Sequence, residues 1–376
     1  MNHKDKKELT KHFLELEDPR RKRKCLHKLI DILFIAICAV IANAESFVDI
    51  EEFGKAKIKF FKKILKLPNG IPSHDTFGRV FSLLNPGVLK KCFHNWIAEI
   101  VKKVNGEVVA IDGKTVRRSF SKTNKKSAIH IVSAWASESK IVLGQVKVNE
   151  KSNEITAIPE LLEILNIKGC TITIDAMGTQ KSIAEIIIDK ESNYVLSLKD
   201  NHKTLCEDVK LIFEEPEKMP DMGIQYDYSK TVDKDHGRIE IRECFTTDNI
   251  DWLNGKEEWK GLKTIVMLKS SRTLNGETST EKRYYLSSLD SDANKIMASI
   301  RSHWSIENSL HWVLDIAFRE DDSRIRKDHA PENFNTFRHI AVNLLKQEKS
   351  RKIGIKAKRK AAGWDEDYLI SILSQF

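Results

Sequence analysis

Three acidic side chains stand where chemistry is the first question. Asp112 closes the run "VVAID" ahead of Gly113, and Asp175 closes "TITID" ahead of "AMG". Glu307 lies in "HWSIENSLHWVLDIAF", with His303 four residues before it and His311 four after. Val108 and Ala110 share a strand face with Asp112, so an acid occupies a place expected to be apolar. At the helical period, Ile296, Ile300, His303, Glu307, Leu310, Leu314 and Phe318 form one stripe with Glu307 near its centre. An ionised carboxylate there is costly unless it is paired or bound to a metal. Taken singly, Glu307 could be half of a buried salt bridge with Arg301 or another arginine. Likewise His303 and His311 could be hydrogen-bonded core histidines, and each aspartate a turn-former or helix cap. Taken together, three convergent carboxylates repel one another strongly and are stable when divalent cations sit between them. Oxygen-only donors suit Mg²⁺ or Mn²⁺. Two such ions ~3.5–4 Å apart clamp the attacking and leaving oxygens of an in-line phosphoryl displacement.

Strands and helices must bring these acids to one point. Residues 1–104 read as helical: "LIDILFIAICAVIANA" suits a helix buried on all sides. Ser73 suits a cap, and Asn85 with Pro86 suits the start of a helix through Val104. From residue 108, "VVAIDGKTVRRS", "AIHIVSAWA" and "IVLGQVKVN" read as strands, followed by a helix opened by Pro159 in "AIPELLEILNI". "CTITIDAMG", "TQKSIAEIIIDKE" and "NYVLSLKDN" then read as strand, helix and strand. The series describes an α/β layer with a mixed sheet, and the carboxyl ends of its strands are where sites form. Residues 220–290 are β-rich and hairpin-like. Helical periodicity returns at Asp292 and passes Leu345, and the chain continues as a basic linker, "KSRKIGIKAKRK", and a short amphipathic helix.

Composition narrows the partners. The 376 residues are 41% hydrophobic and 31% charged, and Lys plus Arg (63) exceed Asp plus Glu (54) for a net charge of +9. This is the balance of a soluble globular protein with a polyanionic partner, nucleic acid first. Basic clusters at Arg20–Lys24 and Lys55–Lys63 are either solvated helix faces or contacts to a phosphate backbone. The cysteines Cys25, Cys38, Cys92, Cys170, Cys206 and Cys244 have neither zinc-knuckle nor redox-pair spacing. They suit free thiols in a reducing cytoplasm. The longest apolar run, Ile32–Ala42, is short of the ~20 residues that span a bilayer. The opening "MNHKDKKELT" has no signal-peptide core, so no membrane partner is expected.

At this point the motifs carry a resemblance. "AIDGKTVRRS", "VNEKSNEITAIPELL", "TIDAMGTQ", "YVLSLKDNH", "DHGRIEIRE", "RSHWSIENSLHWVLDIAFREDDSRIR" and "FRHIAVNLLK" occur in order. They resemble the DDE transposases of bacterial insertion sequences, nearest the ISAs-type, H-repeat-associated group. "DPR" and "IPSHDTFGRVFSLLNP" are similar to the helical domain preceding the catalytic core there. The resemblance runs from about Phe13 to Lys346. It implies an α/β, ribonuclease-H-like mixed sheet with flanking helices, a β-rich insertion before the last catalytic helix, and an all-α N-terminal domain. The implied divisions are a DNA-binding helical domain (1–104), the first part of the core (105–219), the insertion (220–291), the last core helices (292–347), and a basic tail with a short helix (348–376).

The same resemblance makes Asp112, Asp175 and Glu307 the catalytic and metal-binding acids, with two Mg²⁺ or Mn²⁺ ions when DNA is bound. It implies cleavage and strand transfer at inverted-repeat ends of double-stranded DNA, by a homodimer in the nucleoid-associated bacterial cytoplasm. The alternatives are a ribonuclease-H-like nuclease without strand transfer and an inactive DNA-binding relic. One departure stands out. The Tyr, Arg and Lys of the related last-helix signature are replaced by Ile300, His303 and Leu314. Candidates to replace the Arg and Lys are Arg301, His303, Arg324 and Arg326; Lys114, Arg117, Arg118, His236, Arg238 and His311 are further candidate DNA contacts. The alternative for the basic run after Asp112 is a charged turn. Trp252 and Trp259 suit either base stacking or the core, and the basic C-terminal run suits non-specific backbone binding.

Overall fold

The computed structural model describes residues 10–21, 25–100, 106–120, 127–149, 152–214, 223–235 and 237–375. Its N-terminal part contains α1 (Leu29–Ile41), α2 (Phe47–Ala56), α3 (Ile58–Ile64), α4 (His74–Leu83) and α5 (Pro86–Ile100). In α1 every residue except Ile30 is buried, as its all-round apolar sequence requires. Local chemistry sets the starts. The Ser73 hydroxyl accepts from the Thr76 amide, and Asn85 Oδ1 accepts from the amides of Gly87 and Val88. The expected continuation of α5 to Val104 falls outside the described residues.

The sheet begins with β1 (Val108–Thr115), β2 (His130–Ala136) and β3 (Ile141–Lys147). It continues through α6 (Glu154–Ile164), β4 (Thr171–Ile174), α7 (Lys181–Asp189), β5 (Asn193–Leu198) and α8 (Lys203–Glu214). Four longer strands follow: β6 (Asp227–Asp235), β7 (Arg238–Thr247), β8 (Thr264–Leu274) and β9 (Glu277–Ser287). All nine lie in one sheet, ordered β3-β2-β1-β4-β5-β9-β8-β7-β6. β2 runs antiparallel to β1 and β3, while β1, β4 and β5 are parallel. This first half is the ribonuclease-H-like layer. The β-rich segment extends that layer, because β9 pairs antiparallel with β5 from Val195↔Ser287 to Leu198↔Tyr284.

Two expected boundaries move. Helix α6 opens at Glu154, not at Pro159, because the Asn153 side chain caps the Ile155 amide and Pro159 is carried inside the helix. Strand β1 does not end at Asp112. Its antiparallel pairing with β2 continues through Asp112↔Ser133 to Thr115↔His130.

The chain closes with α9 (Ala293–Ile306), a π-helical turn at Glu307–His311, and α10 (Trp312–Phe318). These are followed by α11 (Ala330–Gln347), α12 (Ile355–Trp364) and α13 (Glu366–Leu373). Ala293, Ile296, Met297 and Ile300 of α9 pack on Val195, Cys244, Val266, Leu268 and Tyr285 of the sheet. The basic run after residue 348 is not a free tail or linker. Lys358 and Arg359 are buried in α12, and α12 and α13 bring Ala362, Leu369 and Ile372 into the main core. The reason lies in α1 and α10, whose last carbonyls need donors. Arg359 donates to Val40 O (2.8 Å) and Ala44 O (3.2 Å), and also to Ala317 O. Its guanidinium stacks on Phe318 at 3.9 Å.

Candidate active site

Strand register places the first two acids side by side. The last parallel pairs between β1 and β4 are Ala110↔Thr173 and Ile111↔Ile174. Asp112 and Asp175 are therefore the next residues on each chain, on the face that Ala110 and Thr173 share. β4 ends there, while its neighbours β1 and β5 run on to Thr115 and Leu198. Gly113 N donates to Asp112 Oδ1 (2.8 Å), and Gly178 N donates to Asp175 Oδ1 (3.2 Å), so local backbone orients both carboxylates. The expected rim location holds, although the end of β4 creates it and β1 runs on.

The π-turn lies across this face. Trp312 N–H donates to Glu307 O, the five-residue spacing of a π-turn, and such turns recur at functional sites. Glu307 is exposed, not buried within the apolar stripe. The buried side of the helix passes through Ile300, Ile306 and Leu310, and the widened turn leaves Glu307 at its edge. There it lines a cavity of about 220 Å³ together with Thr173, Asp175, Lys199, Arg283, His303 and Trp304. Its charge reaches Asp112 as well. The Asp112 carboxyl is pushed up to about 7, mainly by burial and with help from Glu154, Asp175 and Glu307, against the lowering pull of the Gly113 amide.

A third carboxylate stands closer than Glu307. Oxygens of Asp112, Glu154 and Asp175 lie within 4.8 Å of one another. Glu154 is the first residue of α6 and bonds His130 Nε2 through Oε1 at 2.6 Å. Its motif, "VNEKSNEITAIPELL", stood out in the sequence, but an acid at a helix start looks like ordinary helix chemistry.

The histidines and basic residues divide. His311 Nδ1 is 3.4 Å from Asp112 Oδ2, but burial, then Lys114, push this imidazole down to about 4, so it is neutral beside the acid. His303 Nδ1 meets Thr173 Oγ1 at 3.0 Å, and burial draws its pKa down. Lys114 does not face solvent as a phosphate contact would. It is 11% exposed and pairs with Asp315 (2.7 Å), Asp321 (3.0 Å) and Glu320 (3.3 Å). Burial alone would lower its pKa, but these carboxylates outweigh that and raise it. Arg117 pairs with Asp321 and Arg118 with Asp322, both at the surface. Arg326 donates to Arg118 O and lies over Phe120. Arg238 pairs with Glu240 within β7, and Arg301 of α9 pairs with Asp233 of β6. Arg324 is exposed on a second, open cavity of about 700 Å³, shared with Arg79 and Lys327. His236 falls outside the described residues. Trp259 is buried against His202, so it belongs to the core and offers no ring for stacking, while Trp252 is half-buried and donates to Asn249 O. Trp304 does reach the surface, beside Arg283 at 4.9 Å.

The family described as Transposase DDE domain matches residues 105–344, and the one described as DDE_Tnp_1-associated matches residues 10–97. The chain belongs to the DDE transposase family. It is similar to the H repeat-associated putative transposase YhhI of Escherichia coli (strain K12), 42% identical over 374 residues, covering 98% of each chain. It is also similar to the putative transposase YncI of Escherichia coli O157:H7, 43% identical over 375 residues, covering 97% of this chain and 94% of that one. Among solved structures it is similar to a piggyBac transposase synaptic complex with hairpin DNA, at 13% identity and a TM-score of 0.45. That match covers 99% of this chain and 78% of that one.

A DDE transposase domain implies divalent metal use. The donor set fits it: three carboxylate oxygens converge, all hard ligands, and among the described residues no lysine or arginine pairs with any of the three acids. No helix among the described residues of this transposase is long and apolar enough to cross a membrane.

Proposed function

We propose that this transposase binds the inverted-repeat ends of its own insertion sequence and cuts phosphodiester bonds there. Water adds to phosphorus and the bond to O3′ breaks. The released 3′-hydroxyl then attacks a phosphorus of a second strand at the same site, displacing that strand's O3′. The observation that carries this reading is the meeting of Asp112 and Asp175 beyond the end of β4, with Glu307 on the wall of the cavity that Asp175 lines. Asp112 and Asp175 would hold magnesium or manganese, with Glu307 joining when DNA fills the cleft. When bound, the cations supply charge stabilisation to the attacking and leaving oxygens.

The protein's remaining part is alignment, with no covalent enzyme intermediate. Lys199 lines the same cavity and offers positive charge to a strand's phosphates, beside Arg283, which is paired with Glu281. His311 stays neutral next to Asp112, so it adds no competing cation. Around this centre, Arg117, Arg118, Arg238, Arg301, Arg324 and Arg326 are the candidates for backbone contacts, and the helical N-terminal part for end recognition. Two copies of the chain would pair two element ends, in a bacterial cytoplasm.

The test uses a duplex carrying an element end with its flank. Wild type with Mg²⁺ should nick it to leave a 3′-hydroxyl, and should join a pre-cut 3′-hydroxyl end to target DNA. Nicking without joining would leave a ribonuclease-H-like nuclease. Binding without either reaction would leave a DNA-binding relic.

A further inference from the structure

Glu154 reaches the catalytic centre from the wrong side of the sheet. Asp112 faces the π-turn, where His311 meets it, whereas Gly113 faces α6 on the opposite side. A methyl group on Gly113 would collide with Glu154 Oε1 and His130 Nε2. The glycine thus leaves the gap through which a side chain from α6 passes β1, and the early end of β4 leaves that gap open. The carboxylate is also held at one oxygen. His130 Nε2 donates to Oε1 at 2.6 Å, which in a neutral imidazole makes Nδ1 the acceptor for the Thr115 hydroxyl at 2.8 Å. Each acid has an oxygen within 4.8 Å of the other two, and no lysine or arginine among the described residues neutralises any of them. The nearby ammonium of Lys114 is spent on Asp315, Glu320 and Asp321 instead. Like charges so arranged are stable around a cation.

We infer that Glu154 is a fourth carboxylate of the centre, a ligand for the divalent cation that Asp112 and Asp175 hold. Thr115 and His130 aim it through the space that Gly113 leaves. This rests on the metal-binding reading above, and it makes Glu154 part of the metal site before DNA arrives, with Glu307 completing the site afterwards.

The test is Mn²⁺ binding to the DNA-free protein, read from the electron paramagnetic resonance signal of the free ion. Wild type and Glu307→Gln should bind alike. Asp112→Asn should abolish binding, and Glu154→Gln should weaken it about tenfold or more. Gly113→Ala should weaken it similarly by displacing Glu154. His130 is a positioning residue. His130→Gln, whose amide still donates to Glu154, should keep the affinity that His130→Ala loses. Melting temperatures guard against trivial unfolding. Glu154→Gln relieves repulsion, so without metal it should melt at or above wild type while losing the Mn²⁺-induced rise. A metal-free melting point well below wild type would make Glu154 a structural partner of His130 and overturn the inference. If Asp112→Asn loses Mn²⁺ while Glu154→Gln binds like wild type, the inference falls and the metal reading stands. If both variants bind like wild type, the metal reading falls and takes the inference with it.

Discussion

Asp112 carries the electrostatic strain of the site. Its carboxyl is pushed from 3.8 up to about 7, first by burial and then by Glu154, Asp175 and Glu307. Between those values the folded protein keeps a proton that the unfolded chain has lost. The Asp112 contribution to stability is therefore present at low pH and falls as pH rises through that window. Metal-free wild type should lose thermal stability from about pH 4 to about pH 7 in a way that Asp112→Asn does not, measured as melting temperature against pH. Cation binding below about pH 7 should release a proton, seen in calorimetry as a dependence on the buffer's ionisation enthalpy. Asp112 and Asp175 were legible in the sequence because an acid in a strand-face pattern is conspicuous. Glu154 was not, because its importance comes from a gap at Gly113 and from a strand that ends early, and neither is a property of its neighbours in the chain. Lys114 is deceptive for a similar reason. Next to Asp112 it looks like a phosphate contact, while its partners Asp315, Glu320 and Asp321 lie about 200 residues away.

At the scale of elements, periodicity marked the helix carrying Glu307 but not its change of pitch. A uniform 100° rotation centres Glu307 in the apolar stripe. The π-turn at Glu307–His311 and the inward turn of Ile306 leave it exposed on the cavity wall. The basic run at 349–360 misleads more deeply, because lysines and arginines in a row all look solvated, whereas Lys358 and Arg359 are buried. Arg359 instead caps two helices, serving the ends of α1 and α10. Replacing it with alanine strands those carbonyls in the core and should cost about 3 kcal/mol, read from the shift in denaturant midpoint. Arg359→Lys should recover little, since an ammonium lacks the planar fork that spans both helix ends.

Across the whole molecule, a single nine-stranded sheet joins the ribonuclease-H-like layer to the insertion, and one core cluster joins α1, α11, α12 and α13. The order of strands and helices was readable from hydropathy, since each element in the first half alternates with a polar break. The pairing of β9 with β5 was not, because strand partners distant in sequence leave no local signature. The C-terminal helices cover α1, so removing residues 350–376 should lower the melting temperature and broaden the transition of the full chain, not merely weaken DNA binding. Calorimetry of the truncated protein reads this directly. The proposed chemistry depends on three acids acting on one phosphate, and the helix-borne one is its hardest test. Mg²⁺-dependent nicking of an element-end duplex by Glu307→Gln should fall by roughly a thousandfold, while DNA affinity stays within about threefold of wild type. A Glu307→Gln protein that nicks like wild type would contradict it.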